Sequence, residues 1–194
     1  MSLTVPVTWN GVDYICTLKT VEDAWAFPVG HHQQYPPEMW YVSYVHSLDG
    51  SLNNGHKHSG IDINIDVPPR GDLERTLGLS VYAVADGMVT YSTDSWSGVP
   101  MLVIAVLHEG RPLWIRYGHI IPCVMLGETV KSGDRLGTFA DWGQSLSKGD
   151  HLHFDMCLDE IKRDWLTPKR WVDPVEYLKA HLSPARVDAM VAKG

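Results

Sequence analysis

Short apolar runs broken by glycine and proline are the feature that most constrains how this chain can fold. The 194 residues include 17 Gly and 12 Pro, which separate runs rich in β-branched and aromatic residues. This spacing is typical of a chain that pairs short strands and turns often. Helix signals begin only at Asp173, an N-cap followed by Pro174 and a capping-box Glu176, and we expect a second short helix after Pro184. The sequence predicts a mainly β fold with a short helical C-terminal tail.

Alternation of apolar and polar residues marks two strands. Isoleucine alternates with polar residues over 61–65, so one face of this strand is apolar and the other polar. The segment 151–156 alternates in the same way, and it places His151, His153 and Asp155 on one face. We therefore expect two strands that each present polar side chains to one side.

Turn residues predict how other strands connect. The runs 101–108 and 113–117 flank a Glu-Gly-Arg-Pro turn, which predicts a hairpin whose apolar first arm lies at the centre of a sheet. The runs 81–85 and 88–91 are separated by an Asp-Gly pair and predict a second strand, tight turn and strand.

Two segments show no clean period. We interpret residues 30–55 as an ordered loop that carries aromatic side chains, and residues 66–80 as an irregular insertion that reshapes one cleft wall. Trp40, Trp96 and Trp142 fall in loop-like stretches, and we expect them to line a cleft.

Charge and cysteine content exclude several classes of protein. The formal net charge is −7 and no Lys/Arg run occurs, so nucleic-acid binding is not expected. The longest aliphatic run, 101–107, is far shorter than the roughly 20 residues of a membrane-spanning helix. The three cysteines form no CxxC pair, which argues against a thiolate zinc site. The length favours one domain, which we expect to be a monomer.

Ten histidines are the one compositional excess. Zinc binds neutral imidazole nitrogens and carboxylate oxygens, and the segments HSGID (58–62) and HLHFD (151–155) each offer both. Side chains at i and i+2 of a strand stand roughly 7 Å apart, so His151 and His153 cannot both bind one zinc without strain. One is therefore expected to bind and the other to remain beside the metal. The histidines at 31, 32, 46 and 181 are expected at the surface.

Three motifs occur in a fixed order. HSGID (58–62), YGHI (117–120) and HLHF (151–154) resemble the HxxxD, lone-His and HxH signature of the lysostaphin/LytM-type zinc metallopeptidases. Segments 81–89, 127–143 and 171–178 are also similar to that family. The resemblance covers roughly 27–182, leaving 1–26 as an N-terminal lead-in and 183–194 as a C-terminal tail. It implies a single domain built on an antiparallel half-barrel with a duplicated hybrid motif.

The resemblance also implies residue roles. His58, Asp62 and His153 would bind one Zn²⁺ per chain, and His119 and His151 would be the catalytic histidines. Such a site leaves an open position where water becomes a nucleophile near neutral pH. The division of proton transfer between the two histidines stays open. Asp155 either orients one of the neighbouring histidines or ends the strand in solvent.

The implied function is a zinc endopeptidase that cuts stem peptides or cross-bridges of bacterial peptidoglycan. An inactive module that binds zinc or wall peptide as a regulator is the alternative. The resemblance places the protein in the bacterial cell envelope, periplasmic or secreted, although the N-terminal MSLTVPVTWN has no pattern of a secretory signal. No HExxH motif supplies a glutamate base, because His108-Glu109 is followed by Gly-Arg-Pro.

Overall fold

Antiparallel strands dominate the structure. The computed structural model describes residues 2–9, 12–19, 25–29, 40–65, 78–96, 98–141, 150–162, 169–182 and 184–192. In these ranges the chain forms the following strands and helices: β1 (Ser2–Trp9), β2 (Val12–Lys19), β3 (Trp40–Tyr44), β4 (Ile61–Ile65), β5 (Ser80–Tyr82), β6 (Gly87–Trp96), β7 (Val99–His108), β8 (Arg111–Gly118), β9 (Ile120–Pro122), β10 (Thr129–Val130), β11 (Arg135–Phe139), β12 (Leu152–Cys157), β13 (Trp171–Val172), α1 (Pro174–His181) and α2 (Pro184–Val191). The prediction of a mainly β fold with a helical C-terminal tail is confirmed.

The strands of the described ranges form three sheets. The largest has the order β10-β6-β7-β8-β12-β4-β3, with β13 also paired to β12. A second sheet has the order β5-β11-β9, and β1 pairs with β2 within the predicted N-terminal lead-in. All strand pairs are antiparallel. The candidate site residues lie on or beside β4, β8 and β12, near the middle of the large sheet.

The predicted hairpin around Glu109 forms between β7 and β8. His108 pairs with Arg111, and the two residues between them, Glu109 and Gly110, have φ of 48° and 75°. Positive φ at both central residues is what a type I′ hairpin turn requires. Strand β7 lies between β6 and β8, as its apolar sequence predicted.

Both faces of β7 are buried because the large sheet has a core on each side. One core contains Leu102, Ile104 and Val106 of β7, together with Val175, Leu178, Val187 and Met190 of the two helices. The second core contains Met101, Val103 and Ala105, together with Trp96, Trp114, Cys157, Ile161 and Trp171. A strand covered on both faces reads as a continuous apolar run, which explains the sequence of β7.

The Asp86-Gly87 pair does not close a hairpin, so that prediction was wrong. β5 pairs with β11 and β6 pairs with β7, which means that the chain passes from one sheet to another at this point. Asp86 accepts hydrogen bonds from the Ser132 amide at 2.8 Å and from Lys131 Nζ at 2.5 Å. The glycine serves close packing instead, since a Cβ at Gly87 would lie 2.6 Å from the carbonyl oxygen of Ala105.

Residues 40–44 form strand β3, not the loop that the sequence indicated. Trp40 and Val42 are buried, whereas Ser43 and Tyr44 are exposed. Trp40 stacks on Phe139 with ring centroids 5.9 Å apart, so it belongs to the core and lines no cleft. The rest of the loop and insertion predictions, together with one of the three tryptophans, lies outside the described residues: 30–39, 66–77 and Trp142.

The predicted helix start at Asp173 is confirmed. The side chain of Asp173 accepts a hydrogen bond from the Val175 amide at 2.9 Å, and Pro174 is the first helical residue. α2 follows at Pro184, as expected. Within the described part of the chain, no helix is both long and apolar enough to span a membrane.

Candidate metal centre

Strand pairing brings two distant motifs together. β4 and β12 are antiparallel neighbours, and Asp62 stands directly opposite His153. His58 precedes β4 and bridges back to Ser47, which fixes the backbone of the turn that enters the strand. His151 immediately precedes β12, which places it in the same cluster. The polar faces predicted for the segments 61–65 and 151–156 therefore meet at one place.

Three donor atoms lie at the corners of a nearly equilateral triangle. Nε2 of His58 is 3.0 Å from Nδ1 of His153 and 3.1 Å from Oδ1 of Asp62. The distance between Nδ1 of His153 and Oδ1 of Asp62 is also 3.1 Å. All three residues are buried. Two donors that each lie about 2.0 Å from a tetrahedral zinc are about 3.3 Å apart. The three side chains therefore fit a zinc ion with only small adjustments and leave its fourth position open.

Two more histidines flank the triangle without joining it. Nε2 of His151 lies 3.5 Å from Oδ2 of Asp62, the carboxylate oxygen that is not part of the triangle. The rings of His119 and His151 pack edge to face with centroids 4.7 Å apart. His119 follows β8 and has a φ of 62°, in the left-handed region that costs a non-glycine residue energy. This turn of the backbone directs the His119 ring toward the cluster.

Asp155 is buried behind His153 and does not end the strand in solvent. Its Oδ2 lies 2.9 Å from Nε2 of His153 and accepts a 2.7 Å hydrogen bond from Oγ of Ser59. Both ring nitrogens of His153 are thus engaged, Nε2 with Asp155 and Nδ1 with Asp62. A histidine that donates its second N–H to a carboxylate is held in one tautomer and one ring orientation.

Burial and neighbouring charges perturb the acid–base properties of the cluster. Burial alone would raise the pKa of Asp62, but His151 and the hydrogen bonds from His153 and His58 outweigh it and hold that pKa well below 3.8. Burial, reinforced by His151 and His153, lowers the pKa of His119 to about 2, so this imidazole is neutral near pH 7.

The pKa of His153 moves the other way. Burial would lower it, yet the hydrogen bonds to Asp155 and Asp62 raise it above 6.5. In the metal-free protein His153 therefore holds a proton more tightly than an ordinary histidine does. Nδ1 must release that proton before it can bind a metal, which couples metal binding to pH.

Sequence reasoning missed one residue near the triangle and misplaced another. The missed residue is Arg116, which is fully buried and bonds to Asp155. Trp96 was expected in a loop-like stretch, but it is the last residue of β6 and is buried; its ring centroid lies 5.3 Å from that of His119 and 5.1 Å from that of His153. An arginine between Ile115 and Tyr117 in an apolar strand was the available signal, because a buried charge requires a partner.

Other histidines lie elsewhere. His56 is exposed, and His46 is half-buried with Nδ1 2.7 Å from the Ser59 carbonyl oxygen, so it is not the surface residue that was expected. His181 also departs from that expectation, because it is half-buried and stacks on Trp25 with centroids 4.3 Å apart. His31 and His32 lie outside the described residues.

A comparison with protein families identifies the chain's relatives. The model of Peptidase family M23 matches residues 56–165, which is more than half of the chain. This range contains the five residues of the site, namely His58, Asp62, His119, His151 and His153. The chain belongs to peptidase family M23. This membership confirms the resemblance to the lysostaphin/LytM-type family, and His58, Asp62 and His153 form the candidate metal site.

Solved structures show the same fold for this M23 chain. LytU matches with 22% identity and a TM-score of 0.56 over 75% of this chain and 89% of its own. Lysostaphin from Staphylococcus simulans matches with 18% identity and a TM-score of 0.53 over 78% of this chain. That match spans 55% of the lysostaphin chain, so the M23 chain corresponds to about half of that relative.

The same fold also occurs in the SpoIIQ–SpoIIIAH pore forming complex, with 14% identity and a TM-score of 0.57 over 84% of this chain. A search of curated proteins found no match. The fold alone therefore does not decide catalysis, which depends on the residues of the site.

Proposed function

We propose that this M23 chain is a zinc-dependent endopeptidase that hydrolyses peptide bonds in the stem peptides or cross-bridges of bacterial peptidoglycan. The observation that carries the proposal is the triangle of Nε2 of His58, Oδ1 of Asp62 and Nδ1 of His153, with sides of 3.0–3.1 Å. Family membership supports peptide hydrolysis as the reaction.

The donor set suits a catalytic zinc. Two neutral imidazoles and one carboxylate would leave a divalent ion with a net charge of +1 and an open fourth position. Zinc in such a set supplies Lewis acidity, which makes water a nucleophile near neutral pH and polarises a peptide carbonyl. His58, Asp62 and His153 would hold the ion, while Asp155 keeps the His153 ring in place.

His119 and His151 are proposed to carry the proton transfers. Each is buried, and their rings pack against each other beside the triangle. Between them they would accept a proton from the attacking water, stabilise the oxyanion and donate a proton to the leaving amine. Nε2 of His151 lies 3.5 Å from Oδ2 of Asp62, so this histidine stands directly beside the proposed metal ligands.

An exposed aromatic residue of β3 lies next to the site. Tyr44 is 42% exposed, and its ring centroid lies 6.0 Å from that of His58. A peptide could reach the triangle from this side. Peptidoglycan is the substrate class that the M23 family supports, and the bacterial cell envelope is the proposed place of action.

Metal content and substrate digestion test the proposal. We expect wild-type protein to bind one zinc per chain and to release muropeptides from purified cell walls, read by mass spectrometry. His58→Ala, Asp62→Ala and His153→Ala should lose the metal. His119→Ala and His151→Ala should keep it and lose about 10²–10⁴-fold in rate, the usual contribution of a general acid or base.

His56→Ala is the matched control. This histidine is exposed, lies two residues before His58 and is outside the triangle, so the variant should keep both metal and activity. A wild-type protein that holds zinc but releases nothing from either pentaglycine-bridged or directly cross-linked walls would contradict the enzyme and favour a regulatory binding module.

A further inference from the structure

Arg116 is a fully buried arginine in the middle of β8, with an exposed fraction of 0%. Its guanidinium lies 4.5 Å from the centroid of the Trp96 ring and 5.1 Å from that of Trp171. Two indole rings thus hold the planar group, a favourable contact for a cation. Removing such a charge from water is still unfavourable, so an arginine here needs a specific partner.

That partner is Asp155, which stands directly opposite Arg116 in the pairing of β8 with β12. Nη2 of Arg116 donates to Oδ2 of Asp155 and lies 3.3 Å from Oγ of Ser59. The same Oδ2 atom lies 2.9 Å from Nε2 of His153. Arg116 is therefore connected to a ligand of the candidate metal site through one carboxylate oxygen.

We propose that Arg116 is a positioning residue that, through Asp155, holds the His153 ring with Nδ1 directed at Oδ1 of Asp62 and Nε2 of His58. The inference rests on the zinc site of the proposed function and extends it to a residue outside the triangle. The carboxylate fixes the ring, and the guanidinium between the two indoles fixes the carboxylate.

The geometry gives this chain of contacts a reason to affect metal binding. An imidazole can rotate about its bond to Cβ, and only one orientation sets Nδ1 3.0 Å from His58 and 3.1 Å from Asp62. Asp155 also bonds to Ser59, the residue next to His58, so the same carboxylate holds both ligand segments. Without Arg116, Asp155 could move away from either partner.

Zinc affinity of the 194-residue chain tests the proposal. Metal-free protein is titrated with zinc against a competing chelator, and folding of each variant is checked by circular dichroism. We expect Arg116→Met and Asp155→Asn each to weaken zinc binding about 10–100-fold, the usual cost of losing a partner of a metal-binding histidine. Arg116→Lys keeps the charge and should restore part of the affinity.

A double-variant cycle separates positioning from stability. If Arg116 acts through Asp155, Arg116→Met combined with Asp155→Asn should bind zinc no more than about threefold more weakly than the weaker single variant. Ile115→Ala is the matched control, because Ile115 is the next residue of the same strand and packs in the opposite core. It should lower stability and leave zinc affinity unchanged.

Two results would overturn the proposal. One is wild-type affinity in both Arg116→Met and Arg116→Lys. The other is fully additive losses in the double variant. Should Arg116→Met fail to fold, Arg116→Gln, which removes the charge but keeps a hydrogen-bond donor, takes its place. Unchanged zinc affinity in Arg116→Gln beside a loss in Asp155→Asn would contradict the proposal.

A ring measurement separates this proposal from the function on which it rests. In metal-free protein, the nitrogen-15 NMR chemical shifts of the His153 ring should show that Nε2 carries a proton and donates it in a hydrogen bond. Arg116→Lys should change these chemical shifts. A wild-type protein that binds no zinc would refute the proposed function. Unchanged ring shifts in Arg116→Lys would refute the positioning role whether or not zinc binds.

Discussion

Nε2 of His153 lies 2.9 Å from Oδ2 of Asp155, on the side of the ring that faces away from Nδ1 and the metal-binding triangle. The carboxylate thereby determines which ring nitrogen can bind a metal. His58 offers Nε2 to the triangle, whereas His153 offers Nδ1. The difference follows from β12, whose period of two puts Asp155 on the same face as His153, while the pairing of β12 with β4 sets Asp62 opposite His153.

The buried carboxylates predict that metal-free protein loses stability in acid. Burial would raise the pKa of Asp155, but Arg116 and His153 outweigh it and hold the pKa well below 3.8. A carboxyl with a depressed folded pKa stabilises the protein above its unfolded pKa, near 4, and loses that contribution as the pH falls toward the folded value. We expect the free energy of unfolding, measured with urea, to fall steadily below about pH 4.

The combined variant Arg116→Met/Asp155→Asn is the comparison for the acid effect. It lacks both charges, so its free energy of unfolding should depend less on pH between about 4 and 2. If the free energy of unfolding falls equally steeply with pH in wild type and in this variant, the Arg116–Asp155 pair contributes nothing to acid sensitivity.

Zinc affinity should decline on the acidic side of neutrality. The hydrogen bonds to Asp155 and Asp62 raise the pKa of His153 above 6.5, and Nδ1 has to be free of its proton to bind a metal. Zinc therefore competes with a proton at pH values where an ordinary histidine is already neutral. Chelator-competition titrations from pH 8 to 5.5 should show the decline, with its onset at lower pH in Asp155→Asn.

Gly60 should be needed for the metal site because β12 passes directly against it. A Cβ at this position would lie 2.2 Å from the carbonyl oxygen of Phe154 and 2.4 Å from Cβ of Asp155. Gly60→Ala should push the HSGID segment away from β12, destabilise the protein by about 1–3 kcal/mol and weaken zinc binding at least about tenfold. Urea unfolding and zinc titration measure the two effects.

Gly127→Ala separates the effect of crowding from the effect of backbone strain. Gly127 has a φ of +81° and nothing within 4 Å of an added Cβ. Its substitution should cost about 1–2 kcal/mol through the left-handed backbone alone and leave zinc affinity unchanged. Equal zinc affinity in the two glycine variants would refute the packing argument.

Thiol reactivity should differ sharply between two cysteines. Cys123 is exposed, whereas burial raises the pKa of the Cys157 thiol to about 11. At pH 8 only about one Cys157 in a thousand would be a thiolate, and alkylation requires that form. Peptide mapping after iodoacetamide treatment should find Cys123 modified and Cys157 intact. In urea both should react, and rapid labelling of Cys157 in the folded protein would contradict its burial.

The hairpin turn offers a stabilising substitution. Glu109 occupies a left-handed conformation with a φ of 48°, which asparagine adopts more easily. Glu109→Asn should raise the free energy of unfolding by about 0.5 kcal/mol. Gly110→Ala, where φ is 75°, should lower it by about 1–2 kcal/mol as the opposite control. Neither substitution should change zinc binding, because the turn lies at the opposite end of β8 from His119.

The sequence by itself determined the local elements and the polar faces that carry the site. The isoleucine alternation over 61–65 predicted β4, the Glu-Gly turn predicted the hairpin, and Asp173 predicted the start of α1. The order of HSGID, YGHI and HLHF identified the family and the five side chains that the structure brings together. The strands, the turn and the helix start depend on residues close in sequence, whose periodicity and turn chemistry act without long-range contacts, whereas the set of five side chains was implied by the family resemblance.

Tertiary structure decided which distant residues meet. His58 and His153 are 95 positions apart, and Arg116 and Asp155 are 39 apart, so the pairing of β12 with β4 and β8 creates both contacts. The same long-range pairing assigned β5 and β6 to different sheets despite the Asp-Gly signal between them. A charged residue in an apolar strand, such as Arg116, indicates that a buried partner is needed. Which residue that partner is depends on the register of β8 against β12, which places Asp155 opposite Arg116 across the sheet.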